Sequence, residues 1–286
     1  MKTTILFPVD YFDLTKIDEQ FEPEYKEAAK LPEFGIAYYN HDAFIDGEKL
    51  KIYPGIEPGD CIARTWMLKP EEYTRLYHCL QQEGVRMIND LEEYSLMHLF
   101  PNIYPSIPES TPRILVFENP DNVDVALVNR TFSRFLIKDS VKSAKSDGFP
   151  SCIETPITDG ELDSHIKKFV ELRGGLFTGG IVLKEYVDLK RYGSTTNEYR
   201  VFYLLSQILS VSRNSNQPDS TPFLPVETAE KFSNLKSNYY TVDFGETESG
   251  EFNILETGDG QVSGLSPYQS IFKYYDDIRY IIQRRE

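Results

Sequence analysis

The chain has 286 residues, 40% hydrophobic and 13% aromatic, which suits one large or two small folded domains and excludes a disordered polymer. Its formal net charge of −15 disfavours general affinity for nucleic acid or an anionic membrane, while leaving room for a local basic pocket around one anionic ligand. No apolar run approaches a membrane span, "TILFPV" is too short for a signal-peptide core, and Cys61, Cys79 and Cys152 are too scattered for a disulfide framework or metal knuckle, so a cytoplasmic protein is expected.

In chain order, "TILFPVD" reads as a first strand ending in Asp10, "PEYKEAAKL" as a short helix and "FGIAYYN" as a second strand. "FIDGEKLKIY" carries an Asp-Gly turn between apolar flanks and is expected to be a hairpin. "CIARTW" is a further strand. In "KPEEYTRLYHCLQQEG", Pro70 suits a first helical turn, Tyr73, Leu76, Tyr77 and Leu80 form one stripe, and Gly84 suits the position past the end. "VRMIN" is a strand, and Asn89 with Glu92 has capping-box spacing before "LEEYSLMHLF". This alternation predicts an α/β layer with parallel pairing.

"PNIYPSIPESTP" reads as a proline-rich linker. Beyond it, "RILVF" and "RFLIKD" are strands flanking a helix, and "GELDSHIKKFVELRGG" is a helix with Ile166, Phe169 and Val170 inward. "GGIVLKEYV", "NEYRVFYLLSQ", "ILSVSRN", "YYTVDF" and "EFNILET" are strands with hairpin-length connections. "SPYQSIFKYYDDIRYIIQRR" is a closing helix with Ser266 as cap and Pro267 at its first position. This half is α+β with antiparallel character.

Four groups of residues carry chemistry. Asp243 and Glu256 sit inside apolar runs; if 247 pairs with 252, they stand directly opposite, where like charges destabilise a sheet. A shared divalent cation relieves that repulsion, and oxygen-only ligands point to magnesium or manganese; a solvated acidic face is the alternative. In "FLIKDSVKSAKSDG", Lys138 ends a strand and Lys142 and Lys145 follow in a serine-rich loop, able to cover a triphosphate or simply to face solvent. "IVLKEYVDL" carries Lys184 and Glu185 on a strand leading into a linker, whose backbone groups could meet an adenine edge, and Asp188 follows as an acid that could hold ribose hydroxyls; a plain half-buried strand is the alternative. In "NEYRVFYL", Glu198 and Arg200 share one strand face, either as a structural pair or with Arg200 stabilising a transferring phosphoryl group.

This order of lysine strand and loop, hinge strand with acid, arginine strand, aspartate strand and glutamate strand with a Gly-rich exit resembles the ATP-grasp superfamily of ATP-dependent carboxylate–amine ligases. The resemblance spans about 91 to 265. "RTWMLKPEEY", "KDSVKS" and "ETGDGQVSGL" look like a stand-alone branch distantly related to peptide-tag ligases. It implies a pre-ATP-grasp α/β layer over 1–90 and a two-subdomain ATP-grasp module over 91–286, with a lid at about 112–187. It also implies that Lys138 contacts the α-phosphate and adenine, that Lys142 and Lys145 belong to a loop over the phosphates, and that Glu185 to Val187 read adenine beside Lys184. Asp188 would hold ribose, Arg200 would face the γ-phosphate with Lys142 as a second catalytic cation, and Asp243 and Glu256 would hold magnesium. The implied substrates are ATP and small-molecule or peptide carboxylates and amines.

The chain departs from the family's pattern twice. The usual Asn two residues after the second metal acid is Gly258, leaving Asp259 or Gln261 to replace it. The usual early Lys before the lid has His98 in its place, read here as packing. The acceptor is expected between the two domains, near Asp10, Arg64 and Trp66, with core packing the alternative for Trp66. Two other readings stay open: an ATP-binding assembly factor without ligase activity, and a covalent nucleotidyltransferase using Lys145 of "KSDG".

Overall fold

The computed structural model describes residues 2–144 and 148–284. The first layer comprises β1 (Thr3–Pro8), α1 (Glu22–Ala28), β2 (Phe34–Tyr39), α2 (His41–Ile45), β3 (Ile52–Tyr53), β4 (Gly59–Ala63), α3 (Pro70–Gln82) and β5 (Val85–Met87). Its sheet runs β3-β2-β1-β4-β5, with β1, β2, β4 and β5 parallel and β3 antiparallel at the edge. All of β1 is buried, as the continuous Ile5-Leu6-Phe7 run of a central, doubly covered strand requires.

Two expectations fail in this half. The 44–53 segment is not a hairpin: Asn40 caps α2 by accepting from the Ala43 N–H, and the helix turns Phe44 into the core, so only Ile52 and Tyr53 remain to pair. The helix after β5, α4 (Leu91–His98), is capped by Asp90 and Glu93, one residue later than the expected pair. Asn89 is engaged elsewhere. Its side chain donates to the Tyr239 carbonyl at 2.6 Å and accepts from the Tyr239 N–H at 2.9 Å, as a strand neighbour would.

The proline-rich stretch is no linker. It forms α5 (Phe100–Ile103) and two 3₁₀ turns, Tyr104–Ser106 and Pro108–Ser110, which bury Phe100, Ile103 and Ile107. Pro101, Pro105 and Pro108 fall in first turns, where a missing N–H costs no hydrogen bond.

A second sheet follows from β6 (Ile114–Phe117), α6 (Val125–Thr131), β7 (Arg134–Lys138), β8 (Ile153–Glu154), α7 (Asp159–Arg173) and β9 (Ile181–Glu185), in antiparallel order β6-β9-β7-β8. Leu162, Ile166 and Phe169 of α7 join its core. A ribbon of β10 (Arg191–Tyr192) and β11 (Thr195–Thr196) leads into the third sheet: β12 (Glu198–Leu204), β13 (Gln207–Arg213), β14 (Tyr239–Glu246) and β15 (Phe252–Asp259), antiparallel in order β13-β12-β14-β15. The β13–β14 connection, residues 214–238, is longer than a hairpin and carries α8 (Val226–Glu230).

The closing helix, α9 (Ile271–Gln283), starts later than expected. Ser270 caps it, while the Ser266 hydroxyl is spent on the Arg213 carbonyl. Tyr274, Tyr275, Ile278 and Ile281 of α9 join the first and third sheets in one core with Ile5, Phe7, Phe202 and Tyr239. Among the described residues, no helix is long and apolar enough to cross a membrane.

Candidate functional site: a charged cleft between two sheets

The β14–β15 hairpin sets the site. Glu246 pairs with Phe252 and Phe244 with Ile254, and then the register shifts so that Asp243 opposes Glu256. The opposition expected from sequence is present by a different route. The turn is one residue longer than the 247–252 pairing assumes, and a bulge at Leu255 restores the register. The bulge also frees the Leu255 carbonyl, which accepts from the Lys184 ammonium at 2.6 Å.

Across from this hairpin, the second sheet completes a cleft of about 420 Å³. Lys138, Lys142, Lys184, Glu185, Tyr186, Val187, Asp188, Arg200, Asp243 and Glu256 all line it. Lys138 ends β7, is buried, and holds its Nζ 3.5 Å from Glu256. Lys184 lies on β9 with its Nζ 4.0 Å over the Phe100 ring, the ring that Lys138 approaches at 5.1 Å. Burial, and then the neighbouring Lys138, hold the Lys184 ammonium well below its usual pKa.

Lys142 is 39% exposed and reaches Glu256 at 3.5 Å. It is set by Asp139, which sequence reasoning missed. The buried Asp139 carboxylate accepts the Val141 and Lys142 N–H groups at 2.7 Å each and is itself held by Arg173 at 2.8 Å. The sequence signal was available: an Asp two and three residues before the N–H groups it caps is an Asx turn. Lys145 lies outside the described residues.

Arg200 grips Asp243 with two hydrogen bonds, at 2.8 and 2.6 Å, and donates to the Gly264 carbonyl at 2.8 Å. Burial opposes its charge, but the pairing with Asp243 prevails and raises its pKa. The Glu198–Arg200 pair considered from sequence does not form; Glu198 accepts from the Thr196 hydroxyl instead.

At the far end, Arg113 chelates Glu185 at 3.0 and 2.8 Å, and Arg134 pairs with Asp188. The Glu185 and Tyr186 N–H groups donate to the Arg113 and Arg134 carbonyls at 2.8 and 2.9 Å. Among residues 185–187, the Val187 N–H is the one with no hydrogen-bond acceptor among the described residues, so it is open to a ligand.

The facing carboxylates suit a magnesium or manganese ion held jointly with phosphate oxygens, a common magnesium arrangement. Among the described residues, no three His, Cys, Asp or Glu side chains cluster as a metal site of their own. Gly258 itself adds no ligand for a second ion. A Cβ at Gly258 would meet the Ser263 hydroxyl at 2.7 Å and the Thr241 hydroxyl at 3.0 Å, so a side chain there would have to displace them.

Asp259 does not replace it, contrary to expectation. It is fully buried away from the cleft, where it accepts from the Asn89 side chain and from the Gln261 N–H at 2.8 Å. Burial pushes its carboxyl up to about 7 against the pull of those donors.

The remaining candidates separate clearly. His98 is buried and stacks on Tyr94 with ring centroids 4.8 Å apart; burial, then Lys142, lower its pKa to about 4. Arg64, expected near the acceptor, is wholly committed. It donates to Glu24 at 2.8 and 2.9 Å and to the carbonyls of Gly260, Gln261 and Ser263. Asp10 shapes the loop after β1 by accepting the Phe12 and Asp13 N–H groups. Trp66 is not core: it is 39% exposed, edge-on to Phe21 at 5.4 Å, and donates to Asp18 at 2.9 Å.

A charged cleft between two antiparallel sheets, preceded by a parallel layer, defines an ATP-grasp protein, and the sequence agrees. The family described as "ATP-grasp domain, R2K clade family 3" matches residues 126–279, more than half of the chain, and the chain belongs to it. Solved structures share the fold over nearly the whole length. The ATP-grasp ligase PsnB, complexed with minimal precursor, is 10% identical with a TM-score of 0.61, covering 98% of this chain and 99% of its own. D-alanyl-alanine synthetase A from Vibrio cholerae is 11% identical with a TM-score of 0.62, covering 99% and 98%. D-alanine–D-alanine ligase from Bacillus anthracis, complexed with ATP, is 11% identical with a TM-score of 0.59, covering 100% and 99%. No curated protein matches the sequence.

Proposed function

We propose that this protein is an ATP-dependent carboxylate–amine ligase, with residues 1–90 as its pre-ATP-grasp layer and 91–286 as its catalytic module. The observation that carries the reading is the Asp243–Glu256 cross-strand pair facing Lys138, Lys142, Lys184 and Arg200 in one cleft. When bound, Mg-ATP supplies the γ-phosphoryl group: an acceptor carboxylate oxygen attacks it with loss of ADP, and an amine then displaces phosphate from the acyl phosphate to give the amide. The protein's part is positioning and charge, as in other phosphoryl transfers.

Asp243 and Glu256 are the metal-holding pair in this reading. Lys138, Lys184 and Lys142 bind phosphate oxygens, and Lys142, the more exposed, follows the group as it moves. Arg200, fixed by Asp243, balances charge on the transferring phosphoryl. The Val187 N–H and its neighbouring carbonyls meet the adenine edge, and Asp188 meets the ribose by exchanging its partner Arg134.

Calorimetry with a non-hydrolysable ATP analogue tests the first half; binding that survives excess EDTA unchanged would remove the metal from this site. ADP release that depends on an added carboxylate tests the second. Magnesium-dependent nucleotide binding with no acceptor-dependent turnover would instead favour a non-catalytic ATP-binding role.

A further inference from the structure

A second space opens from the nucleotide cleft. A small pocket of about 60 Å³ is bordered by Lys142, Arg200, Asp243 and Glu256 on the cleft side and by Met67, Ser263 and Gly264 on the other. The last three also border a groove of about 430 Å³, and Lys142 borders all three spaces. The three spaces therefore adjoin, from the phosphate end of the cleft to the groove, with Lys142 at their common wall.

The groove has a definite place in the fold. Phe21 follows β1, and Thr65 and Trp66 follow β4, so the groove lies at the C-terminal ends of these neighbouring strands. The chain passes from β1 to β2 on one side and returns to set β4 on the other. The crevice between β1 and β4 is thus the sheet's topological switch point, where open parallel sheets receive ligands.

The lining selects among ligands. Phe21, Trp66, Met67, Leu265, Pro267 and Ile271 supply apolar surface, with Trp66 39% and Met67 41% exposed. The charged side chains among the described lining residues are Lys142 and Glu24. Glu24 is engaged by Arg64 and by the Tyr275 hydroxyl, at 2.7 Å, and Arg64 has no donor to spare. Cations therefore await one carboxylate at the cleft end, and none awaits a second along the groove.

Building on the ligase reading, we infer that the acceptor is a monocarboxylic acid with an apolar side arm. The carboxylate sits at the Lys142–Arg200 end and the arm lies against Trp66 and Met67. A dicarboxylic acid would bring an unpaired negative charge onto apolar surface, an expensive desolvation.

Trp66 is the only tryptophan, so its fluorescence reports this groove directly. The full-length protein saturated with magnesium and AMP-PNP is titrated with 3-phenylpropionate, octanoate and N-acetylphenylalanine, and separately with glutarate and N-acetylglutamate. The apolar acids should shift Trp66 emission and bind on the order of tenfold or more tightly than the diacids, a typical discrimination for a hydrophobic pocket. Met67→Lys, at an exposed position that tolerates charge, should abolish that preference by meeting the second carboxylate of a diacid. Equal or tighter binding of the diacids, or no Trp66 response to any apolar acid, overturns the inference. ADP release with the same acids separates the two readings. Apolar acids that bind without ADP release leave the groove's preference standing and sink the ligase; ADP release with the diacids alone does the reverse.

Discussion

Two charged clusters flank the β14–β15 hairpin and obey opposite rules. In the buried one, Arg64, Glu24, Asn89, Asp259 and Gln261 join the first layer to the strand end, and the donors of Arg64 all meet protein acceptors. In the cleft, Lys138 and Lys142 approach Glu256 only at 3.5 Å, and Lys138 and Lys184 share one aromatic ring despite their like charge. The buried cluster is closed by its own groups, whereas in the cleft Lys138, Lys142, Lys184 and Arg200 gather around two carboxylates, Asp243 and Glu256. Saturated charge joins the first layer to the hairpin; in the ligase reading, the cleft's charge meets a ligand.

The sharpest way to break the comparison is to delete one member of the saturated set. Arg64→Ala strands a buried Glu24 and three carbonyls, and should cost about 3–5 kcal/mol in chemical denaturation. Wild-type stability in that variant would show the cluster to be ornamental.

Asp259 gives the next effect. Its folded pKa, about 7, lies above its ordinary 3.8, so the folded chain keeps a proton that the unfolded chain has released. Its contribution to stability is therefore complete at low pH and declines as pH rises from about 4 to about 7, by at most about 1.4 kcal/mol per pH unit. Denaturation curves across that range, compared with Asp259→Asn, should show the decline vanish in the variant; an unchanged slope would assign it to other groups.

Glu256→Gln probes the open cluster. It should leave the apo melting temperature equal or higher and erase the nucleotide-induced rise. At 100 times Kd that rise represents about 2.7 kcal/mol. An undiminished rise would show that Glu256 does not hold the metal.

The parallel layer was legible because Ile5-Leu6-Phe7 and the α3 stripe carry their periods locally. The cleft was legible as far as each residue's strand could be read, because alternation along β7, β9, β12 and β14 fixes which side chains share a face. What escaped was decided across the chain. The Leu255 bulge depends on a longer turn and on Lys184, far away in sequence. Asn89 resembles a cap until Tyr239 claims it, and Arg64 looks free until Glu24 and the 260–263 carbonyls surround it. Asp259 was misjudged for the same reason: from sequence, a buried carboxylate and a liganding one look alike.

The placement of Lys184 has a thermodynamic consequence. Its amine is held toward the neutral form by burial and by Lys138, while it still donates to the Leu255 carbonyl. In the ligase reading, phosphate oxygens arriving beside it favour the charged form, so nucleotide binding raises the Lys184 pKa and, at a pH between its free and bound values, draws a proton from solution. The heat of binding then includes the ionisation heat of whatever buffer supplies that proton. Titrations in phosphate and in Tris should differ in apparent enthalpy in proportion to the buffers' own ionisation enthalpies, and Lys184→Met should bring the two together.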